Sequence, residues 1–344
     1  MSSRSGTPRA GAGSLLVVVL LSACSGSSGA PTYDGQHPSS SPAQDAEHPA
    51  TSASSDEAAR AAPAALRKGE RTDLLRIPGG PYQPAAPDGG FDDYRCFLLD
   101  PGLTEDVFVT GSDVLPGNPA VVHHAILFAV SPDGVAAAEA HDAATPGQGW
   151  TCFGGAALPA AGGSAAAGLN SAPWLVAWAS GGGETVFRSR TGKRLAAGSR
   201  IVLQMHYNLR EGTKPDETAV RLRLMPGTAD LRALETMLLV APVELPCTGE
   251  GAGRLCDRSQ SVLDLVGRFG EQAGRTVSGL QLAATTLPTP VRVRRGDVLR
   301  VTCTHDAALR SMVPELSEEE PRYVTWGEGT SDEMCLGIVL YTRD

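Results

Sequence analysis

Residues 119–130 read PAVVHHAILFAV, a short apolar run interrupted by two adjacent histidines, His123 and His124. Its valine, isoleucine and phenylalanine favour a strand, and turn residues bound it on both sides. Neighbours on a regular strand point to opposite faces. For both imidazoles to reach one partner, the strand must bulge or twist at this point. A polar ring inside such a run also needs something to satisfy it. A third histidine, His206, stands in a second strand-like run, RIVLQMHYNL at residues 200–209. Three neutral imidazoles from two strands make a metal site, and imidazole suits copper, zinc, iron and nickel alike. The competing reading is a hydrogen-bonded core histidine at 206 and a pair that lies partly at the surface.

The same rhythm of short apolar runs and Gly, Pro and Asp clusters extends outward from this stretch. Residues 94–100, 105–114, 219–225, 235–243, 290–297, 297–306 and 334–342 all read as strands. The pattern predicts an all-β fold of two tandem antiparallel β-sandwich, jelly-roll-like domains. A chain of 344 residues exceeds what one core usually serves, which also argues for two domains. The polar stretch REGTKPDETA at residues 210–219 supplies the break, giving expected domains at 74–213 and 214–344. One segment of the second domain departs from strand periodicity. In SVLDLVGRFGEQAG (261–274), Val262, Leu265, Val266 and Phe269 share a helical face, so a short helical insertion is expected. Residues 135–140 predict another short helix, and 156–174 a surface loop.

The N-terminus carries Arg4 and Arg9, then the apolar run LLVVVLL (15–21), too short to span a bilayer. Leu21-Ser22-Ala23-Cys24 follows and looks like a bacterial lipoprotein box. In that reading residues 1–23 form a signal peptide, and lipid on Cys24 holds the protein to the cell envelope. An ordinary secretory signal is the alternative, and both readings export the chain. Residues 24–73 have few large apolar side chains and read as a disordered tether; His37 and His48 within it are expected to be solvated. Export places the cysteines in an oxidising compartment. With Cys24 assigned to lipid, six remain: Cys96, Cys152, Cys247, Cys256, Cys303 and Cys335. Six cysteines allow fifteen pairings, and spacing does not choose among them.

Net charge is −9, which argues against nucleic acid and against docking on anionic lipid. The chain has no G-x-S-x-G, H-E-x-x-H, P-loop or dinucleotide fingerprint. Near the C-terminus, Met334 stands beside Cys335 in TWGEGTSDEMCLGIVLYT. Methionine in isolation is ordinary core filler, but a soft thioether beside an exported metal site favours copper.

Four runs, HHAILFAV, LQMHYN, VTCTHD and GTSDEMCLGIVLYT, occur in that order. They resemble the copper type II, ascorbate-dependent monooxygenases, the family of peptidylglycine α-hydroxylating and dopamine β-monooxygenases. The resemblance spans roughly residues 90–344. It implies that His123, His124 and His206 bind one copper that passes electrons. It implies that Met334 belongs to a second copper, which handles dioxygen and hydroxylates a C–H bond with electrons from a small-molecule reductant such as ascorbate. It also implies the disulfides Cys96–Cys152 and Cys303–Cys335, which leave Cys247–Cys256 as a short local loop. The sequence departs from the family at the second copper. The family supplies two further histidines there in an H-x-H motif, and this chain has no histidine from Tyr207 to Thr304. His305, with Asp306, Asp332 or Glu333, is the nearest substitute, against the plainer reading of a surface histidine. Ala125 replaces a methionine that is not a ligand, and His141 lies in an Ala- and Asp-rich stretch. Three functions remain in view: a copper monooxygenase, a non-catalytic copper or electron-transfer lipoprotein with the tri-histidine site alone, and a metal-free binding module.

Overall fold

A computed structural model describes residues 13–17, 61–87, 90–159, 172–241, 243–247, 253–269, 291–294, 296–305, 320–327, 329–330 and 332–343. Cys24, Asp306, most of the expected tether and the end of the expected helix after Phe269 lie outside them.

The opening run becomes β5 (Val122–Val130). It belongs to a five-stranded sheet in the order β6 (Trp150–Thr151), β3 (Asp92–Leu99), β10 (Arg200–Asn208), β5, β7 (Trp174–Ala179), antiparallel throughout. The central strand β10 is buried on both faces, which is why its sequence is a nearly continuous apolar run. Ile201, Leu203, Met205 and Tyr207 face inward. Val202 faces the other side, which α1 (Pro132–Ala144) helps cover through Ala138. This helix contains the expected 135–140 segment.

Opposite lies a second sheet. Its order is β12 (Arg232–Ala233), β9 (Thr191–Leu195), β4 (Val107–Leu115), β11 (Ala219–Pro226), β2 (Arg71–Arg76), with β8 (Thr185–Val186) also on β4. Val109, Val220, Leu222 and Leu224 from this sheet meet Phe97, Leu127 and Leu203 from the first in one core. The result is a β-sandwich, antiparallel except for the two-residue edge pair β12–β9, as the alternation predicts. The boundary expected at 213/214 falls inside it, because β11 is hydrogen-bonded to β2 on one edge and β4 on the other. The main stretch of the compact unit also starts earlier than residue 74, at Ala64. The cause is Arg223 on β11, whose guanidinium holds the carbonyls of Ala64 and Ala65.

The rest of the chain builds a smaller sheet, β13 (Glu235–Ala241), β17 (Cys335–Tyr341), β1 (Gly13–Val17), β15 (Val291–Val293), and a two-stranded pair, β14 (Glu244–Leu245) with β16 (Val324–Thr325). The strand β1 overlaps, at residues 15–17, the run that reads as the signal core. Between β14 and β15 comes α2 (Arg258–Phe269), the expected helical insertion. It buries Leu265 and Phe269 against Trp326, Val243 and, from the sandwich, Tyr94 and Phe153. Residues 297–306 do not form the expected strand: among the described residues of that run only Val301 makes a bridge. The preceding strand is short because Arg294-to-Asp297 closes a tight turn, with Arg294 N–H donating to the Asp297 carboxylate and Gly296 at φ 102°.

Three disulfides, Cys96–Cys152, Cys247–Cys256 and Cys303–Cys335, staple the fold. They are the pairs that the resemblance implies, and they place the protein in an oxidising compartment, extracellular or periplasmic. Among the described residues no helix is long and apolar enough to cross a membrane.

Candidate metal centre

The bulge demanded by HH is present. On the β5–β10 ladder His206 pairs with His124, but the next residue, Tyr207, pairs with Val122. His123 is the extra residue, so two histidines oppose one and both turn toward His206. The Nδ1 atoms of His123 and His124 lie 3.2 Å apart, and those of His124 and His206 lie 3.3 Å apart. All three ligand atoms fall within 4.8 Å of one another. Two imidazole nitrogens on one ion, each at roughly 2.0–2.1 Å, are about 3.3 Å apart at a tetrahedral angle. The three residues therefore can hold a metal ion. Among the described residues this is the one such group of three His, Cys, Asp or Glu side chains.

The surroundings fix both charge and tautomer. Burial pushes the pKa of His124 and His206 well down, and the neighbouring imidazoles push in the same direction. His123 is lowered by burial as well, with Asp92 pulling against it. Neutral rings with free lone pairs are the form that binds metal. His206 Nε2 lies 2.7 Å from Asp92 Oδ1. That contact assigns the ring proton to Nε2 and leaves the Nδ1 lone pair facing the other two histidines.

Asp92 is itself held by the C-terminal region. Thr330 donates to it twice, from Oγ1 at 2.7 Å and from its backbone N–H at 3.1 Å. Asn208 Nδ2 donates to Thr330 Oγ1 at 3.1 Å. Burial raises the Asp92 pKa, while the Thr330 donors and the Arg268 guanidinium oppose that rise. Tyr94 stacks flat on His206, with centroids 4.1 Å apart and planes 12° apart. These supporting residues are not visible as a motif. Period two places Asp92 with Tyr94 and His206 with Asn208 on matching faces, but only the β3–β10 register, Tyr94 to His206 and Asp92 to Asn208, shows that they meet.

Met334 is half-buried and packs against the Trp326, Phe269 and Leu265 cluster. His305 Nδ1 lies 3.3 Å from Glu333, and its Nε2 is buried without a partner among the described residues. Asp332 is engaged by Arg268 and by the Gly329 N–H. His141 stacks on Trp150 on the far side of the sheet from the core. Within α2 the positions described hold no histidine to replace the absent H-x-H pair. The chain matches no protein-family model and no curated protein, so the functional reading rests on its own residues.

Proposed function

We propose that this chain is an exported copper protein related to the ascorbate-dependent copper monooxygenases, with His123, His124 and His206 as the ligands of its electron-transfer copper. The observation that carries this reading is the convergence of three Nδ1 atoms behind a bulge that nothing in sheet formation requires. For nitrogen ligands copper stands at the top of the divalent first-row affinity order, and the resemblance favours the same metal. When bound, copper supplies one-electron exchange between its cupric and cuprous states. The chain holds three neutral imidazoles ready, uses Asp92 to keep the His206 proton on Nε2, and covers one ring with Tyr94. His123 and His124 keep some solvent exposure while His206 is buried, so a small reductant would approach from their side. Lipid attachment at Cys24 belongs to the same proposal.

Full monooxygenation is the second reading, favoured by one feature. His305, whose buried Nε2 has no partner among the described residues, lies two residues from Cys303, and that cysteine is bonded to Cys335 beside Met334. Metal analysis with X-ray absorption decides between the two. One copper per chain with nitrogen ligands and no sulfur is the expected result. Two coppers, a sulfur ligand and reductant-dependent oxygen uptake coupled to a hydroxylated product would establish the second reading. A chain that stays metal-free in excess copper would sink both.

A further inference from the structure

A second site lies away from the histidines, where the sandwich meets the smaller sheet. There a cavity of about 210 Å³ opens between β7, β8, β9, β13 and β17. Its walls are mainly apolar, including Val176, Phe187, Ile338 and Leu340, yet they carry two cations, Lys193 and Arg188, and no carboxylate. Lys193 is 4 % exposed. A buried ammonium far from any counter-charge is costly, and burial alone lowers its pKa from 10.5 to about 7. The amine donates to the Trp174 carbonyl and the Thr236 hydroxyl. An ammonium has three N–H donors, so one is left over. Trp174 lines the same cavity, while its indole ring packs edge-on against Phe128. Apolar walls, one N–H of Lys193 left over and positive charge without a carboxylate among the lining residues define one ligand chemistry. We infer that this cavity binds a small apolar carboxylate, with the anion on Lys193 and the hydrocarbon body between the sheets.

Size supports a ligand of about one ring. An apolar cavity of roughly 150 Å³ accepts benzene, and this one adds room for a carboxylate. A charge-assisted hydrogen bond to the ammonium is about twice as strong as a neutral one, which makes the anion the recognised group. Arg188 is exposed at the rim and serves to attract the anion rather than to bury it.

The test is calorimetric titration of the full chain with benzoate, and with benzamide as its neutral isostere. Benzoate is expected to bind one site per chain at least tenfold more tightly than benzamide. Its affinity should fall about tenfold per pH unit above pH 7, as the Lys193 amine loses its proton; the other groups against that amine, the Trp174 carbonyl and the Thr236 hydroxyl, do not titrate in this range, and Arg188 stays charged. Lys193→Met should cost benzoate tenfold or more and leave benzamide unchanged. Arg188→Gln, at an exposed position, should lower the benzoate association rate without removing the site. Absence of benzoate binding overturns the inference. So does equal affinity for the two probes, or benzoate binding that survives Lys193→Met, which would locate the anion elsewhere, such as at the histidines.

Discussion

The sandwich and the C-terminal region solve the same problem, burying short strands, with different means. The sandwich closes two broad sheets on a continuous core, and its ligands sit on strands paired along both edges. The C-terminal region has narrower sheets and a shorter core, stapled by two of the three disulfides. Rigid sheets hold a ligand set precisely in place, whereas a loop-rich region is better suited to bracing it. The difference teaches how the candidate metal centre is built: the sandwich presents the three histidines, and the C-terminal region contributes Thr330, which holds the residue that holds His206.

The largest effect that tests this division is removal of a ligand. His206→Ala is expected to abolish copper binding while the fold persists, measured by metal content and by circular dichroism. Full copper occupancy in that variant would move the site out of the sandwich. Next comes the ion cluster that begins the sandwich. Arg223 is buried and donates to Glu70, Glu184 and the carbonyls of Ala64 and Ala65. Gly111 makes room for it, since a Cβ there would lie 2.8 Å from Arg223 Cδ. Arg223→Met leaves buried Glu70 with only the longer, 3.7 Å ion pair to Arg67 and should cost about 3–5 kcal/mol in denaturant unfolding. The metal site, on the opposite sheet, should retain its affinity when folded.

Lys193 tests the seam between the regions, because it sits on β9 and bonds to Thr236 on β13. Its folded pKa of about 7 lies below the ordinary 10.5, so between those values the unfolded chain binds the extra proton. Stability therefore rises with pH across that window, by at most about 1.4 kcal/mol per unit for this group. Below pH 7 the amine is charged in both states and the full burial cost remains. Comparing unfolding of the native chain with Lys193→Met isolates the slope. Identical pH profiles would show that the amine is not buried in its charged form.

A smaller effect is expected at Thr330. Thr330→Val removes the hydroxyl that bonds Asp92, and support of this kind is worth roughly 10–100-fold in metal affinity. Thr330→Ser, which keeps the hydroxyl, should retain most of it. This residue also marks the limit of what the sequence reveals. The strands and the HH bulge are legible because period-two burial and adjacent histidines are local signals. The three cysteine pairs became readable only through the resemblance. Thr330 lies 238 positions from Asp92, and no local pattern connects them. The strand expected at 297–306 failed for the complementary reason: its apolar residues look extended, but the Arg294–Asp297 turn breaks the ladder before them.

The smallest effect is predicted at Met334, and it separates the two regions most sharply. Its thioether packs against Trp326, Phe269 and Leu265, where leucine has nearly the same volume. A volume-conserving swap in such a setting costs less than about 1.5 kcal/mol. A thioether without imidazole partners is a poor copper ligand, so Met334→Leu should leave copper content and the nitrogen-only absorption spectrum unchanged. Loss of one copper from a two-copper chain would reverse this. It would assign the C-terminal region a ligand of its own, and His305→Ala would then be expected to release the same ion. Retention of copper in Met334→Leu, set beside its loss in His206→Ala, would show that the sandwich alone holds the metal.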